Sequence, residues 1–441
     1  ATFETEGNFT ETSAKETSYE YSFHEKVTGS INLKLLVSPL LATNFENGRL
    51  SVDLASAEYN NKKERTERVI QSSSNMNVEG NLSIDSGNDI TVSGSNISAG
   101  GDVNLSAVNN VSIETTEEST KTVSEEISGK AEVTAGVKNA ASDVALATKA
   151  VVDAKKALDK AKDDYDKYKD NLAKAKDDLD KGLIDEEDYE SMKDEGKYYL
   201  ANIAMCTENI AAKTAALLQA TAGAAASAGT FGFSADLQLQ IDGSYSKTKS
   251  EDITTKGSSI NAGGNFTVTA GNKAKIEGSD VSAGSDIILD AKSVDILAAE
   301  NTSTSSTKSG NVSATISIST ASGPSFNASG SYTDSGSDST TYTNSHINAS
   351  NITIKSSEDT TVRGGVVTAE NSLKLDIGGD LTVESLQDKS RNSSHTIGAS
   401  VSGGGDGVSG GGANANMSSG SKRWVTEQTS LTGGTVDIYV E

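Results

Sequence analysis

The chain has few of the residues that build thick globular cores or covalent cross-links. Only 34% of its 441 residues are hydrophobic and 5% are aromatic, too few to fill the two or three cores that this length suggests. The single cysteine, Cys206, excludes an internal disulfide bond, and we interpret it as a buried small apolar residue. Two prolines against 41 glycines argue against a proline-rich disordered chain. A fold with a thin core fits this composition.

Positive charge is also scarce. Lys and Arg number 38 against 62 Asp and Glu, which gives a formal net charge of -24. Nucleic acids and anionic membranes bind clustered cations, so this balance argues against both as partners and favours solubility of a long surface. The longest apolar stretch, 31–42, is interrupted and too short for a membrane helix, and the chain starts without a secretion leader. We therefore interpret it as a segment of a larger protein.

A motif of one apolar residue, a small-residue turn and a short alternating strand occurs five times. Ala262 and Ala283 occupy matched positions 21 residues apart, and Ala349 and Ala369 lie 20 apart, which is the length of one β-solenoid coil. The sequence therefore predicts an elongated scaffold of stacked coils. The motif copies begin at Asn96, Ile260, Val281, Ile347 and Val367.

The coils are grouped in blocks of two, and Ser/Thr/Gly-rich excursions separate the blocks. The blocks at 258 and 346 begin 88 residues apart, so the larger unit is two coils plus one long β-hairpin. The predicted division is an excursion at 1–74, coils at 75–114, an outgoing strand at 115–135, an insertion at 136–225, a returning strand at 226–257, coils at 258–299, an excursion at 300–345, coils at 346–386, an excursion at 387–431 and a new coil from 432–441.

The insertion at 136–225 has a helical pattern. From Val137 to Leu179 apolar residues follow a 3,4 spacing over six heptads, which predicts an apolar seam along one helix. Apolar residues from Met192 to Leu217 form a second seam that would pack against the first. Gly182 is the expected C-terminal cap of the first helix, and Asp185, with Asp188 after it, the expected N-cap of the second. The pattern predicts an antiparallel, coiled-coil-like helical hairpin at the tip or side of an excursion.

No catalytic, cofactor or metal site is predicted. The three histidines lie in separate segments without ligand spacing, and the literal dinucleotide fingerprint at 405–410 lies in a Gly-rich hairpin without a βαβ unit. The aspartates that follow the coil turns are interpreted as residues that cap their own backbone. We therefore expect a protein that is not an enzyme. The residues concerned are His24, His346 and His395, and Asp102, Asp286 and Asp380.

Phe231 to Ile241 alternate with small or polar residues over about eleven positions, which is also the pattern of a membrane-spanning β-strand. We favour a hairpin whose apolar face packs on its partner strand or on the flank of the coils. Isolated hairpins are marginal in water, and neighbouring excursions emerge only ~10 Å apart. We therefore expect the excursions to stack laterally into sheets or to lie along the rod.

The Ser-Ala-Gly-Gly-Asp-Val-Asn-Leu coil at 98–105 and the Ser/Thr-rich hairpins resemble the haemagglutinin repeats of the filamentous haemagglutinin family, which are exoproteins of Gram-negative two-partner secretion systems. The resemblance covers the chain outside 136–225. It implies a right-handed parallel β-helix with extra-helical β-hairpins, secreted or displayed on the cell surface, and export through an outer-membrane transporter.

The alternation of coils and excursions looks most like the repeats of contact-dependent growth-inhibition proteins. That resemblance implies a role in delivering a toxin across a neighbour's outer membrane, with a component of that membrane as partner. The alternatives are a rod segment of an adhesin for host cells or biofilm partners, and a β-helical polysaccharide lyase. A lyase needs clustered charged and aromatic residues along a groove, whereas the single tryptophan, Trp424, lies in an excursion.

Overall fold

The structure is a computed structural model and describes residues 1–32, 44–46, 49–181, 189–190, 192–193, 195–230, 232–320, 323–404 and 407–441. The fold is mainly β, with two sheets of parallel strands, one antiparallel sheet and one helical insert. The mainly β class, the parallel pairing and the helical insert that the sequence predicts are confirmed.

The parallel strands form three rows. The first and second rows belong to one of the two parallel sheets, and the third row forms the other. One passage of the chain through all three rows is called a coil here. The coils together are called the coil stack. The first row contains β6 (Asn75–Val78), β9 (Asn96–Ala99), β14 (Ser259–Ala262), β17 (Asp280–Ala283) and β28 (Ser430–Thr432). The second contains β1 (Thr2–Thr5), β7 (Leu82–Ser86), β10 (Val103–Ala107), β15 (Phe266–Ala270), β18 (Asp286–Ala291) and β29 (Thr435–Val440). The third contains β2 (Phe9–Thr12), β8 (Ile90–Ser93), β11 (Val111–Glu114), β16 (Lys273–Glu277), β19 (Ser293–Leu297), β23 (Thr360–Arg363) and β25 (Leu381–Glu384). β22 (Ser345–Ser356) and β24 (Gly365–Ile377) run through the first and second rows.

Alternation explains why these segments form strands. Every second side chain points inward, where it stacks on its equivalent in the neighbouring coil. Phe266, for example, lies between Val103 and Ile287 in the second row. All three residues are fully buried, as are most inward residues of the stack. Stacking at ~4.8 Å completes both the backbone pairing and the core, which a single coil cannot do alone.

The long strands between coil pairs form one antiparallel sheet of nine strands, called the hairpin sheet here. Its strand order is β27-β26-β21-β20-β13-β12-β5-β3, with the short β4 on β5. The lateral stacking of excursions that the sequence predicts is therefore observed. The strands are β3 (Ala14–Ile31), β4 (Asn44–Glu46), β5 (Arg49–Ser72), β12 (Thr116–Asn139), β13 (Phe233–Lys256), β20 (Ala299–Ser319), β21 (Gly323–Thr343), β26 (Asp388–Gly404) and β27 (Gly407–Trp424).

A match of two spacings explains why the excursions pair. Each excursion leaves the stack after two coils, a rise of about 9.6 Å, and each hairpin is two strands wide, also about 9.6 Å. The returning strand of one excursion therefore meets the outgoing strand of the next. This pairing occurs three times, between β5 and β12, between β13 and β20, and between β21 and β26.

The first 74 residues differ from the predicted single excursion. Thr2–Thr5 and Phe9–Thr12 pair in parallel with β7 and β8, so the chain begins inside the coil stack and leaves it only at Ala14. The sequence hides these two strands because each contains one large apolar residue, Phe3 or Phe9. Residues 33–43, which belong to the excursion predicted at 1–74, lie outside the described residues.

The helical insert consists of α1 (Ala140–Asp180) and α2 (Gly196–Ala226), which pack on each other. The insert leaves the tip of the β12–β13 hairpin, where Ala140 N–H donates to Gly232 O at 2.9 Å. Asn139 caps α1, and its side-chain oxygen accepts from Ala141 N–H at 2.9 Å. The expected caps at Gly182, Asp185 and Asp188 lie outside the described residues.

The predicted seam supplies the residues that α1 buries, namely Ala140, Ala154, Ala161, Tyr168 and Ala175. Tyr168 stacks on Tyr199 of α2 with ring centroids 4.8 Å apart. Its hydroxyl donates to Lys193 O at 2.9 Å.

Candidate functional site

One corner of the coil stack, between the third row and the first, is where every excursion leaves and returns. Alternate coils close this corner with a glycine instead of an excursion. Gly94, Gly278 and Gly364 have φ values of 56°, 52° and 69°. A Cβ on Gly94 would also lie 2.2 Å from Thr116 Oγ1, at the base of the neighbouring excursion. Glycine is needed there for both its conformation and its size.

A ladder of buried serines holds the same corner together. Ser95, Ser258, Ser279 and Ser345 are at most 2% exposed. Ser258 Oγ accepts from Ser95 N–H at 3.3 Å and lies 2.8 Å from the acceptor Glu114 O. Ser279 Oγ in turn accepts from Ser258 N–H at 3.0 Å. The ladder fixes the base of the hairpin sheet to the coils. The sequence signal of this ladder is a serine two residues before the apolar residue of the first-row strand in each of these coils.

The hairpin sheet has one apolar face in the half farther from the coils. Directly opposed residues of an antiparallel sheet point to the same side, so register defines this face. Ile241 opposes Ala131 and Ala314, and Leu239 opposes Val133 and Ile316. Exposed fractions are large, from 46% to 64%, for Phe233, Leu237, Ile241, Val312, Ile316, Ile318 and Ile397.

The expectation that lateral stacking would cover these apolar side chains is therefore wrong. Edge pairing satisfies the backbone, but a single-layer sheet buries a face only when another layer lies on it. Phe231 lies outside the described residues, whereas Phe233 to Ile241 belong to β13 with this face exposed.

The opposite, polar face carries hydroxyl and carboxylate pairs. Asp242 accepts from Ser313 Oγ at 2.6 Å, and the hydroxyls of Ser128 and Ser244 lie 2.7 Å apart. Near the tip, Arg49 of β5 forms an ion pair with the buried Asp236 of β13 at 2.8 Å. This contact ties strands of the first and second excursions together.

Helix α2 packs on β27, the strand at one edge of the hairpin sheet. Asn202 Oδ1 accepts from the backbone N–H of Ala415 at 3.3 Å. Cys206 Sγ lies 3.6 Å from the same Asn202 oxygen, and Cys206 is 5% exposed, which confirms that it is buried. Burial raises the pKa of the Cys206 thiol and disfavours a reactive thiolate. The sequence did not indicate that the helices fold back onto the sheet.

The carboxylates of Asp102 and Asp286 bond to a neighbouring coil and not, as predicted, to their own backbone, and Asp380 contacts the neighbouring coil through its backbone N–H. Asp102 Oδ1 accepts from Asn265 N–H at 2.8 Å in the next coil. Asp286 Oδ1 accepts from the Asn351 side-chain amide at 2.8 Å, and Asp380 N–H donates to Asp359 Oδ1 at 2.9 Å. Stacking places an equivalent turn of the neighbouring coil beside the carboxylates of Asp102, Asp286 and Asp359, and this neighbour supplies the donor.

The three histidines lie apart, in β3, β22 and β26. His346 contacts two carboxylates, with Nδ1 2.9 Å from Asp280 Oδ1 and Nε2 3.1 Å from Glu427 Oε1. Burial lowers the pKa of His346, but the hydrogen bonds to Glu427 and Asp280 outweigh it and raise the pKa above its ordinary value. Glu427 lies in the segment that returns from the last excursion, so His346 links that segment to the coil stack.

Among the described residues, no group of three or more His, Cys, Asp or Glu side chains could hold a metal ion. Gly405 and the residue after it, in the fingerprint at 405–410, lie outside the described residues. None of the described helices has the length and apolarity needed to cross a membrane.

Comparison with known proteins assigns the chain to a family. The Hemagglutinin repeat family matches residues 55–179 and 239–399, so the chain belongs to that family. The tRNA nuclease CdiA of Yersinia mollaretii is 35% identical over 173 residues, which cover 36% of this chain and 6% of that protein. The Toxin CdiA of Escherichia coli is 32% identical over 178 residues, with the same two coverages of 36% and 6%.

The chain thus spans about one sixteenth of the length of either relative. A solved structure, the low-pH structure of Pseudomonas putida OprB, covers 91% of this chain and 92% of its own at 4% identity, but its TM-score is 0.08.

Proposed function

We propose that the coil stack is a right-handed parallel β-helix in a large secreted bacterial surface exoprotein. Parallel strands joined by crossovers within one sheet are right-handed in nearly all proteins, which supports the hand. Membership of the Hemagglutinin repeat family and similarity to two CdiA proteins support the secreted, surface-displayed location. Export would use an outer-membrane transporter of the two-partner type.

Within that exoprotein, the chain serves as a non-catalytic rod and delivery segment for a toxin that enters a neighbouring cell. The observation that carries this proposal is the exposed apolar face of the hairpin sheet, which is anchored along a rigid stack. Large exposed apolar surfaces mark interaction sites. The partner is an outer-membrane component of the neighbouring cell, and the net charge of -24 gives no basis for a nucleic-acid partner.

A chimera tests this role. This chain replaces the matching segment of the E. coli Toxin CdiA, and growth inhibition and attachment of target cells are measured separately. The variant Ile241→Lys, Ile316→Lys and Ile397→Lys charges the apolar face. The matched control, Gln240→Lys, Thr315→Lys and Thr396→Lys, adds the same charge to the polar face.

The delivery role predicts that the apolar-face variant loses growth inhibition and keeps attachment, while the control keeps both. Unchanged growth inhibition by a folded, secreted apolar-face variant would contradict it. The adhesin alternative predicts that the apolar-face variant loses attachment itself and that toxin entry per attached cell is unchanged.

A further inference from the structure

The four inner strands β12, β13, β20 and β21 carry two rows of contrasting size on the apolar face of the hairpin sheet. Both edges of each of these strands are paired. Directly opposed residues form a row across the sheet, and one such row, called the ridge here, contains large side chains. Four positions nearer the coils lies a second row, called the trough here, in which three of four residues are glycine. The ridge consists of Val133, Leu239, Ile316 and Phe326, and the trough of Gly129, Gly243, Val312 and Gly330.

The described residues leave this face uncovered. Ile316 of the ridge is 51% exposed and Val312 of the trough 64%. The helical insert lies on the opposite, polar side of the sheet, where a Cβ at Gly412 would meet both Asn209 Oδ1 of α2 and Ser400 Oγ. The insert therefore does not compete for the ridge and the trough.

The uncovered area is as large as one side of a stable protein interface. Apolar residues extend from Leu237 to Tyr245 on β13 and across six strands from β5 to β26. These spans are about 27 Å along the strands and about 29 Å across them, which gives about 800 Å². A standard interface buries about 800 Å² per partner, whereas a soluble monomer rarely exposes so large an apolar patch.

We propose that this face packs on the same face of a second copy of this chain, with the ridge of each copy in the trough of the other. A two-fold axis that runs across the strands, along the row of Ala131 and Ile241, produces this fit. It sets Leu239 against Gly243 of the second copy and Val133 against Gly129 of the second copy. The contact is self-complementary, as a two-fold interface requires. The two sheets form a sandwich, and the two coil stacks lie at opposite ends of it.

Charge selects this orientation over the parallel one. A row of charged residues borders the apolar zone on its coil side, with Glu125, Lys247, Lys308 and Asp334 directly opposed in sequence across the strands. Parallel copies centred between β13 and β20 would set Lys247 against Lys308 and Glu125 against Asp334 of the second copy. The opposed orientation avoids both like-charge contacts. It moves Lys308 past the end of β20 of the second copy, because that strand ends at Ser319.

The face that pairs is the one that the proposed function assigns to an outer-membrane component, so the two copies must separate before that contact. Pairing would keep the apolar face out of water until then, and dilution favours the single copy with its face open. Self-association itself does not depend on the delivery role. The experiments below use the purified chain and test pairing, whereas the chimera tests delivery.

The first experiment measures mass by analytical ultracentrifugation over a range of concentrations. The intact chain should rise from the mass of one copy to that of two and no further, because a two-fold contact closes. Ile241→Lys with Ile316→Lys should keep the single-copy mass. The control Gln240→Lys with Thr315→Lys, on the polar face, should pair like the intact chain. A single-copy mass at every concentration, or equal pairing by both variants, would overturn the proposal.

A substitution in the trough separates this fit from unspecific association and covers the case in which the lysine variants do not fold. A Cβ at Gly129 would have Asp242 O as its nearest neighbour, at 3.8 Å, so the single copy accepts a side chain there. Gly129→Val makes the face more apolar but fills the trough, and should weaken pairing about tenfold or more. Adding Val133→Gly exchanges the two volumes and should restore pairing. The control Ser128→Val points to the polar face and should change nothing.

Tighter pairing of Gly129→Val would show unspecific association and overturn the proposal, as would a failure of Val133→Gly to restore pairing.

Cross-linking tests the orientation. In a Cys206→Ser background, Ala131→Cys lies on the two-fold axis and faces its own equivalent, so a short bismaleimide should link two copies readily. Ala135→Cys, four residues nearer the tip, is the control, since its two equivalents would lie about 27 Å apart. Equal linking at both positions would overturn the proposal. Faster linking of Ala131→Cys to an Ala328→Cys protein than to itself would indicate the parallel orientation and overturn it as well.

Discussion

The coil stack and the hairpin sheet use the same apolar residue types and bury them differently. Ile287 in the stack is fully buried, whereas Ile316 in the sheet is 51% exposed. Both lie in alternating strands with complete backbone pairing on either side. The stack encloses its inward side chains because three rows of strands face one another. The sheet has one layer, so pairing completes its backbone and leaves a face open. Strand pairing and core formation are thus separable in this molecule.

A leucine-to-alanine change should give the largest difference in stability between the coil stack and the hairpin sheet. Leu289 is fully buried between Val268 and Ile354, so Leu289→Ala should lower the free energy of unfolding of the coil stack by about 4 kcal/mol. The matched change Leu237→Ala, at a residue 46% exposed, should cost less than about 1 kcal/mol. Urea unfolding measures both. Similar costs for the two would show that the sheet face is covered in solution.

A charge buried between the helices should destabilise the helical insert and leave the stability of both β regions unchanged. Ala161 is 3% exposed, so Ala161→Asp should destabilise the helices by about 3 kcal/mol by burying an unpaired carboxylate. The exposed Ala173→Asp on the same helix is the control and should have little effect. Helical circular dichroism should melt earlier only in the first variant. An identical melt would indicate that α1 and α2 do not pack together.

Loss of one hydroxyl should test the junction between stack and sheet. Ser258→Ala leaves the buried Ser95 amide without its acceptor and should cost about 2 kcal/mol. Hydrogen exchange should rise at the bases of β12 and β13. The control Ser306→Ala, exposed on β20, should leave exchange unchanged. Equal hydrogen exchange in the two variants would show that the serine ladder does not hold the coil stack and the hairpin sheet together at this corner.

The smallest expected effect is a pH dependence. The pKa of His346 is raised in the folded protein above its unfolded value of about 6.5. Its stabilising contribution is therefore fully present below that unfolded value and is lost as pH rises through the raised pKa. Exchange of amides at 425–429 should increase over this window. His346→Asn should abolish this pH dependence. An unchanged pH profile of exchange in that variant would show that another group causes the dependence.

The sequence predicts the coil stack well because its signal is local and repeated. The turn around Ala262 returns at Ala283, and each copy strengthens the assignment. The serine ladder has a local sequence signal, but the contacts that it makes, like the bond from Asp102 to the next coil, join residues up to 163 positions apart and do not follow from that signal. Asn202 on Ala415 spans 213 residues and involves one backbone amide, which no sequence pattern marks. The lateral pairing could be predicted because it depends on strand spacing alone.

The rise of two coils equals the width of one hairpin, and this equality limits how the length of such a chain can change by recombination. Duplication or loss of a whole 88-residue unit, such as the interval from 258 to 346, keeps every hairpin beside its neighbour. Gain of a single coil moves all later hairpins about 4.8 Å away and opens a gap in the sheet, whereas loss of one brings them about 4.8 Å closer and makes neighbouring hairpins overlap. Genes of this architecture should therefore vary in length by whole units. Rearrangements within a unit should be rare among variants that still assemble a continuous sheet.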